Sequence, residues 1–178
     1  MANHSSHKPA GDPVAEHRAA GRSTARCMVV TVSDTRTLED DKSGATAIER
    51  LSAAGHEIAR REIIPDDRPR ILQLLNEGIA SGEIDAIVLT GGTGIAPRDI
   101  THEAVQEIVQ KRLDGFGELF RNLSYEEIGA AAMLSRAIAG TVDRTVIFAL
   151  PGSTKAVRLG IDKLIGPEVG HIVGLLAS

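Results

Sequence analysis

At 178 residues, 42% of them apolar, the chain is long enough to bury one aliphatic core, and its formal charge of -4 excludes the general nucleic-acid affinity that clustered Lys and Arg provide. Aromatic residues make up 2% and Trp is absent, which excludes stacking on aromatic platforms as a main binding mode. No stretch reaches the ~20 apolar residues of a membrane span, and residues 1 to 25 lack the apolar segment of a signal peptide, so the sequence predicts a cytoplasmic protein.

Residues 1 to 25 hold only scattered Ala and one Val as apolar groups, too little to offset ordering entropy, and predict a flexible tail carrying His4, His7 and His17. A single domain over 26–178 follows. The run CMVVTV reads as a buried parallel strand, and the one cysteine, Cys27, as a buried thiol within it. Ser43 is placed to cap a helix whose face carries Ala47, Ile48, Leu51 and Ala54 and which Gly55 stops. HEIARREII predicts a second strand and residues Arg68 to Ser81 a helix with Ile71, Leu74, Leu75 and Ile79 on one stripe. AIVLT then predicts another buried strand, and Thr101 the cap of a helix reaching Gln110.

Residues 115–135 carry apolar side chains at mainly helical spacing. AIAGTV and RTVIFAL, turning at Asp143 and Arg144, predict an antiparallel hairpin, after which a helix from near Ser153 leads into a last apolar one ending at Leu176. Strands alternating with helices imply an α/β fold: a three-layer α/β/α sandwich with a mostly parallel sheet and an antiparallel edge strand.

In such a sheet, ligands gather beyond the carboxyl ends of the strands, where four chemically loaded segments lie: SDTR, IPDD, TGGTGIAPRD and LPGSTK. Gly91, Gly92 and Gly94 around Thr93 suit a close backbone approach to an anion, although a Gly-rich turn between strand and helix needs no ligand. The spacing matches neither the dinucleotide fingerprint nor the P-loop. Asp66 and Asp99 follow neighbouring strands and would share Mg2+ with nucleotide phosphates; alternatively Asp66 serves a turn and Asp99 a helix cap. Arg98, Arg136 and Lys155 are cations suited to phosphate charge, or plain solvated side chains. Ser43 and Ser153 sit at helix starts and Ser33 and Asp34 at a strand end, where capping competes with ligand binding.

These segments together resemble the MoaB/Mog family of molybdenum cofactor biosynthesis proteins, through TGGTG at 90–94 and PRD at 97–99. DKSG at 41–44, IPDD at 64–67, GFGELFR at 115–121, LSR at 134–136 and LPGSTKA at 150–156 match as well, with GFGE, SYEEIG and PGSTKA closest to the MoaB branch. The resemblance implies a molybdopterin-binding fold and Mg-ATP-dependent adenylylation of molybdopterin, a nucleotidyl transfer releasing pyrophosphate with no covalent protein intermediate. It places Asp66 and Asp99 at Mg2+ and ATP, and Ser135 and Arg136 at the pterin with Glu118 nearby. By the same resemblance Ser33, Asp34, Ser43, Gly91, Gly92, Thr93 and Gly94 would help form the pocket, and Pro151, Gly152, Ser153 and Lys155 would lie near the nucleotide. It further implies a homotrimer or homohexamer and contact with other proteins of the pathway. The alternative is a non-catalytic molybdopterin-binding or scaffolding protein. His102 departs from the family, which commonly has Pro at that first helical position.

Overall fold

The computed structural model describes residues 24–178; the first 23 residues, His4, His7 and His17 among them, lie outside it. Ala25, which composition assigns to the tail, is fully buried, and its carbonyl accepts from Glu57 N at 3.0 Å.

Among the described residues six strands form one sheet: β1 (Arg26–Val32), β2 (Glu57–Ile64), β3 (Ala86–Thr90), β4 (Lys111–Arg112), β5 (Ile138–Val142) and β6 (Thr145–Leu150), in the order β2-β1-β3-β6-β5-β4. The first four in that order run parallel, and β5 and β4 are added antiparallel to their neighbours. The expected hairpin is β5–β6, turned by Asp143 at φ 49°. The two-residue β4 was not expected, and it is too short to carry a periodic signal.

β1 and β3 are hydrophobic at nearly every position because helices cover both their faces. On one side Cys27, Val29, Val88, Phe148 and Leu150 pack with α1 (Lys42–Ala53), α4 (Asp114–Ile128), α5 (Thr154–Gly160) and α6 (Gly166–Ala177). On the other, Met28, Val30, Ile87, Leu89 and Ile147 pack with α2 (Arg68–Ser81) and α3 (Thr101–Ile108). Helices on both faces of a mixed sheet make the three-layer sandwich that strand–helix alternation predicts. Of the three phenylalanines, Phe116 lies 5.2 Å from Phe148 and 6.3 Å from Phe120, ring centre to ring centre.

Two helix starts differ from the sequence expectation. α1 is capped by Asp41, whose Oδ1 accepts from Gly44 N at 2.8 Å; Ser43 is inside the helix and donates to that same oxygen. Asp41 wins because burial lets it also take Thr31 Oγ1 and the Arg61 guanidinium. Thr101 begins α3 without capping it, and that helix ends at Ile108 instead of Gln110. Asp99 does not cap it either, since its Oδ2 is taken by Ala96 N within the preceding loop. The 115–135 segment is α4 followed by a 3-10 turn over Gly129–Leu134, a break placed by Gly129 at φ 60°. α5 continues into α6 through a single π turn, Ile161–Ile165.

What the sheet does for function is alignment. Val32 pairs with Ile64, Thr31 with Thr90, and Thr90 with Leu150, so β2, β1, β3 and β6 end level with one another. Their following loops therefore share one edge.

Candidate functional site

The loop after β3 is tied down from several directions. Gly91 N donates to Leu150 O at 3.1 Å and Thr101 N to Gly92 O at 2.9 Å, joining it to β6 and α3. Gly91 has φ +98°, and a Cβ there would stand 2.3 Å from Val32 O. At Gly92, φ +61°, a Cβ would meet Thr101 Oγ1 at 2.2 Å and Asp66 Oδ2 at 2.6 Å. Only glycine fits either place, so the sequence motif is read here as geometry.

Arg136 grips the same loop. Its guanidinium donates to Thr93 O at 3.2 Å, Gly94 O at 2.5 Å and Asp99 O at 3.1 Å, and forms an ion pair with Glu103. That bond to Arg136 holds the Glu103 carboxyl below its ordinary range. The Arg136 carbonyl in turn accepts from His102 Nδ1 at 2.7 Å, which requires the proton on Nδ1. His102 thus uses a side-chain bond where Pro would have preset the helix.

Two recesses flank the loop. A cavity of about 410 Å3 is lined by Gly91 to Gly94, Asp99, Ser135, Pro151, Gly152 and Ser153, with an apolar wall from Phe120, Ile128, Ala131 and Leu134. A smaller one, about 190 Å3, is lined by Ser33, Asp34, Asp66, Gly92, Arg98 and Asp99. Gly92 and Asp99 belong to both. Sequence reasoning placed most of these residues together; it missed the apolar wall, whose spacing along α4 and the 3-10 turn reads equally as core.

The small recess is strongly anionic. Asp34 Oδ1 accepts from Asp66 N at 3.1 Å, and Ser33 Oγ accepts from Thr35 N and Arg36 N. Burial pushes the Asp66 carboxyl above its ordinary value, with Asp99 and Asp34 adding to the rise against a weak bond from Ile100 N at 3.4 Å. Carboxylates crowded in this way suit a divalent cation, and hard oxygen donors suit Mg2+. Among the described residues no group of three or more His, Cys, Asp or Glu could hold a metal alone, so substrate or water oxygens would complete the shell around Asp66 and Asp99.

Three expected pocket residues stand elsewhere. Ser43 is bonded to Asp41 and lines neither recess. Glu118 lines a separate polar pocket with His102, Asp114 and Arg121, and Lys155 is exposed at the first turn of α5. Ser153 caps α5 by accepting from Ala156 N at 3.2 Å, while its residue still lines the larger recess.

Residues 28–171 match the family model described as a probable molybdopterin binding domain. The molybdenum cofactor biosynthesis protein B of Bacillus cereus is 51% identical over 160 residues, 89% of this chain and 95% of that protein. Its Bacillus subtilis counterpart is 49% identical over 161 residues, 90% and 95%. A crystal structure of a molybdenum cofactor biosynthesis protein B superposes with a TM-score of 0.85 at 51% identity, over 86% of this chain and 96% of that one. The tungsten cofactor synthesizing protein MoaB from Pyrococcus furiosus gives 0.77 at 43%, over 87% and 98%. Sequence, fold and the glycine-built loop agree, and the chain belongs to the MoaB/Mog family of molybdenum cofactor biosynthesis proteins.

Proposed function

We propose that the protein acts in molybdenum cofactor biosynthesis as a molybdopterin adenylyltransferase, joining the adenylyl group of ATP to the terminal phosphate of molybdopterin. The observation that carries this reading is the pair of recesses meeting at Gly92 and Asp99. Transfer between two bound substrates needs the donor phosphorus and the acceptor oxygen side by side, and a shared wall of glycine and carboxylate provides such a meeting point. An oxygen of the pterin phosphate forms a bond to the α-phosphorus of ATP, the bond from that phosphorus to the α–β bridging oxygen breaks, and pyrophosphate departs with the electron pair.

The chain's own residues act by placement. Gly91, Gly92 and Gly94 line the larger recess with no side chain of their own, which leaves their backbone open to a phosphate. Arg136 fixes that backbone from behind, and Arg98 at the smaller recess offsets anionic charge. Asp66 and Asp99 would hold Mg2+, which when bound neutralises charge on the phosphates. Phe120, Ile128, Ala131 and Leu134 offer an apolar wall to a planar ring.

Incubation with molybdopterin and ATP labelled at the α-phosphate tests this. The label is expected on the pterin. Pterin retained by the protein without acquiring label would leave a binding or scaffolding protein.

A further inference from the structure

We infer that Thr101 is a positioning residue for Asp66, its hydroxyl set in place to bond the carboxylate when that group takes up its ligand. The inference deepens the adenylyltransferase reading, since it rests on Asp66 as a ligand of the Mg-nucleotide.

Thr101 Oγ1 is fully buried and has no hydrogen-bond partner among the described residues. Such hydroxyls are uncommon, because a buried polar group without a partner gives up its bonds to water for nothing. The backbone of Thr101 is firmly set by its N–H to Gly92 O at 2.9 Å, so the side chain is not a loosely held one. Across Gly92 stands Asp66. A Cβ on that glycine would touch both the hydroxyl, at 2.2 Å, and the carboxylate, at 2.6 and 2.9 Å. Glycine thus leaves the two groups facing each other with no side chain between them.

The carboxylate needs such a donor. Among the described residues it takes one hydrogen bond, from Ile100 N, long at 3.4 Å, while Asp99 and Asp34 press negative charge on it that Arg98 only partly offsets. A small rotation of Asp66 toward Thr101 would give one oxygen a hydroxyl donor and leave the other for a cation. Full burial keeps the Thr101 hydroxyl from touching a substrate itself, so its effect passes through Asp66. The first turn of α3 adds the favourable end of a helix dipole to the same carboxylate.

The test compares Thr101→Val, which keeps the shape and removes the hydroxyl, with Thr101→Ser, which restores it. Melting temperature, Mn2+ binding in the presence of ATP by electron paramagnetic resonance, and the separate kcat and KM for Mg-ATP are measured in the full chain. Thr101→Val is expected to melt no lower than the parent, because the hydroxyl it loses is unbonded before the ligand arrives. It should bind Mn-ATP about tenfold more weakly, the usual consequence of losing a partner behind a metal ligand. KM should rise by a similar factor, and Thr101→Ser should recover binding to within about twofold. A Val variant that matches the parent in Mn-ATP binding, including the case in which neither binds, overturns the inference. So does a Ser variant as weak as Val, or a Val variant that melts lower. A parent that binds Mn-ATP but transfers nothing to pterin contradicts the adenylyltransferase reading and leaves the Thr101 comparison standing.

Discussion

Asp66 is held where an ionised carboxylate is uncomfortable. Burial and the neighbouring Asp99 and Asp34 raise its pKa, so the fold favours its protonated form. For a raised group, the stabilising contribution is complete below the ordinary carboxylate value and is lost as pH rises through the native one; at neutral pH ionised Asp66 therefore works against the fold. Asp66→Asn should melt higher than the parent at pH 7, by about 1–2 °C after allowing for the solvent that reaches this half-buried group, with no gain at pH 3. The same change should lower turnover at least about a hundredfold, because the carboxylate charge that would hold the cation is gone. Gly92→Ala should cost activity to a similar extent, about a hundredfold, since its methyl would push into Asp66 and Thr101. Asp66 and the three glycines were legible in the sequence because they follow β2 and β3 within a few residues, and Asp99 because it ends the same loop. Thr101 and the Arg136 clamp were not, because the loop and carbonyls they serve come from distant chain segments and leave no local pattern.

At the scale of elements, the start of α1 shows where local rules fall short. Ser43 and Asp41 are both good caps, and the choice between them was made by β1 and β2, which bring Thr31 and Arg61 to Asp41. Burial would push the Asp41 carboxyl up, but the bonds from Gly44 N, Arg61, Thr31 and Ser43 outweigh it and hold the pKa below the ordinary value. The stability it supplies is thus present above the ordinary carboxylate pKa and lost as pH falls through the lower native one. Asp41→Asn should cost about 2–4 kcal/mol at pH 7, leaving Arg61 without its buried partner, and the gap should narrow below about pH 4. Urea unfolding at several pH values measures both. Strands β1, β3 and β6 and helix α2 were readable because period and length agree over whole elements. Cys27 was readable as well, and burial pushes its thiol up to about 12. Native protein should leave it unalkylated by iodoacetamide at pH 8, with labelling only on unfolding.

For the whole molecule, no helix among the described residues is long and apolar enough to cross a membrane. The surface of α4 and its 3-10 turn instead exposes Leu119, Tyr125, Ile128, Met133 and Leu134, with Met133 79% accessible. We propose that the chain assembles as a homotrimer or a hexamer of two trimers, and sedimentation should give three or six times the chain mass; Met133→Glu tests whether this surface is the contact, by lowering that mass. The proposed transfer depends on the level strand ends and the two recesses built on them. Its most direct test is Mg-dependent pyrophosphate release from ATP, with and without molybdopterin, comparing the parent with an Asp66→Ala, Asp99→Ala double variant. Release that requires the pterin and vanishes in the variant is the predicted result; a variant that releases pyrophosphate as fast as the parent, or a parent that binds pterin and releases none, would contradict it.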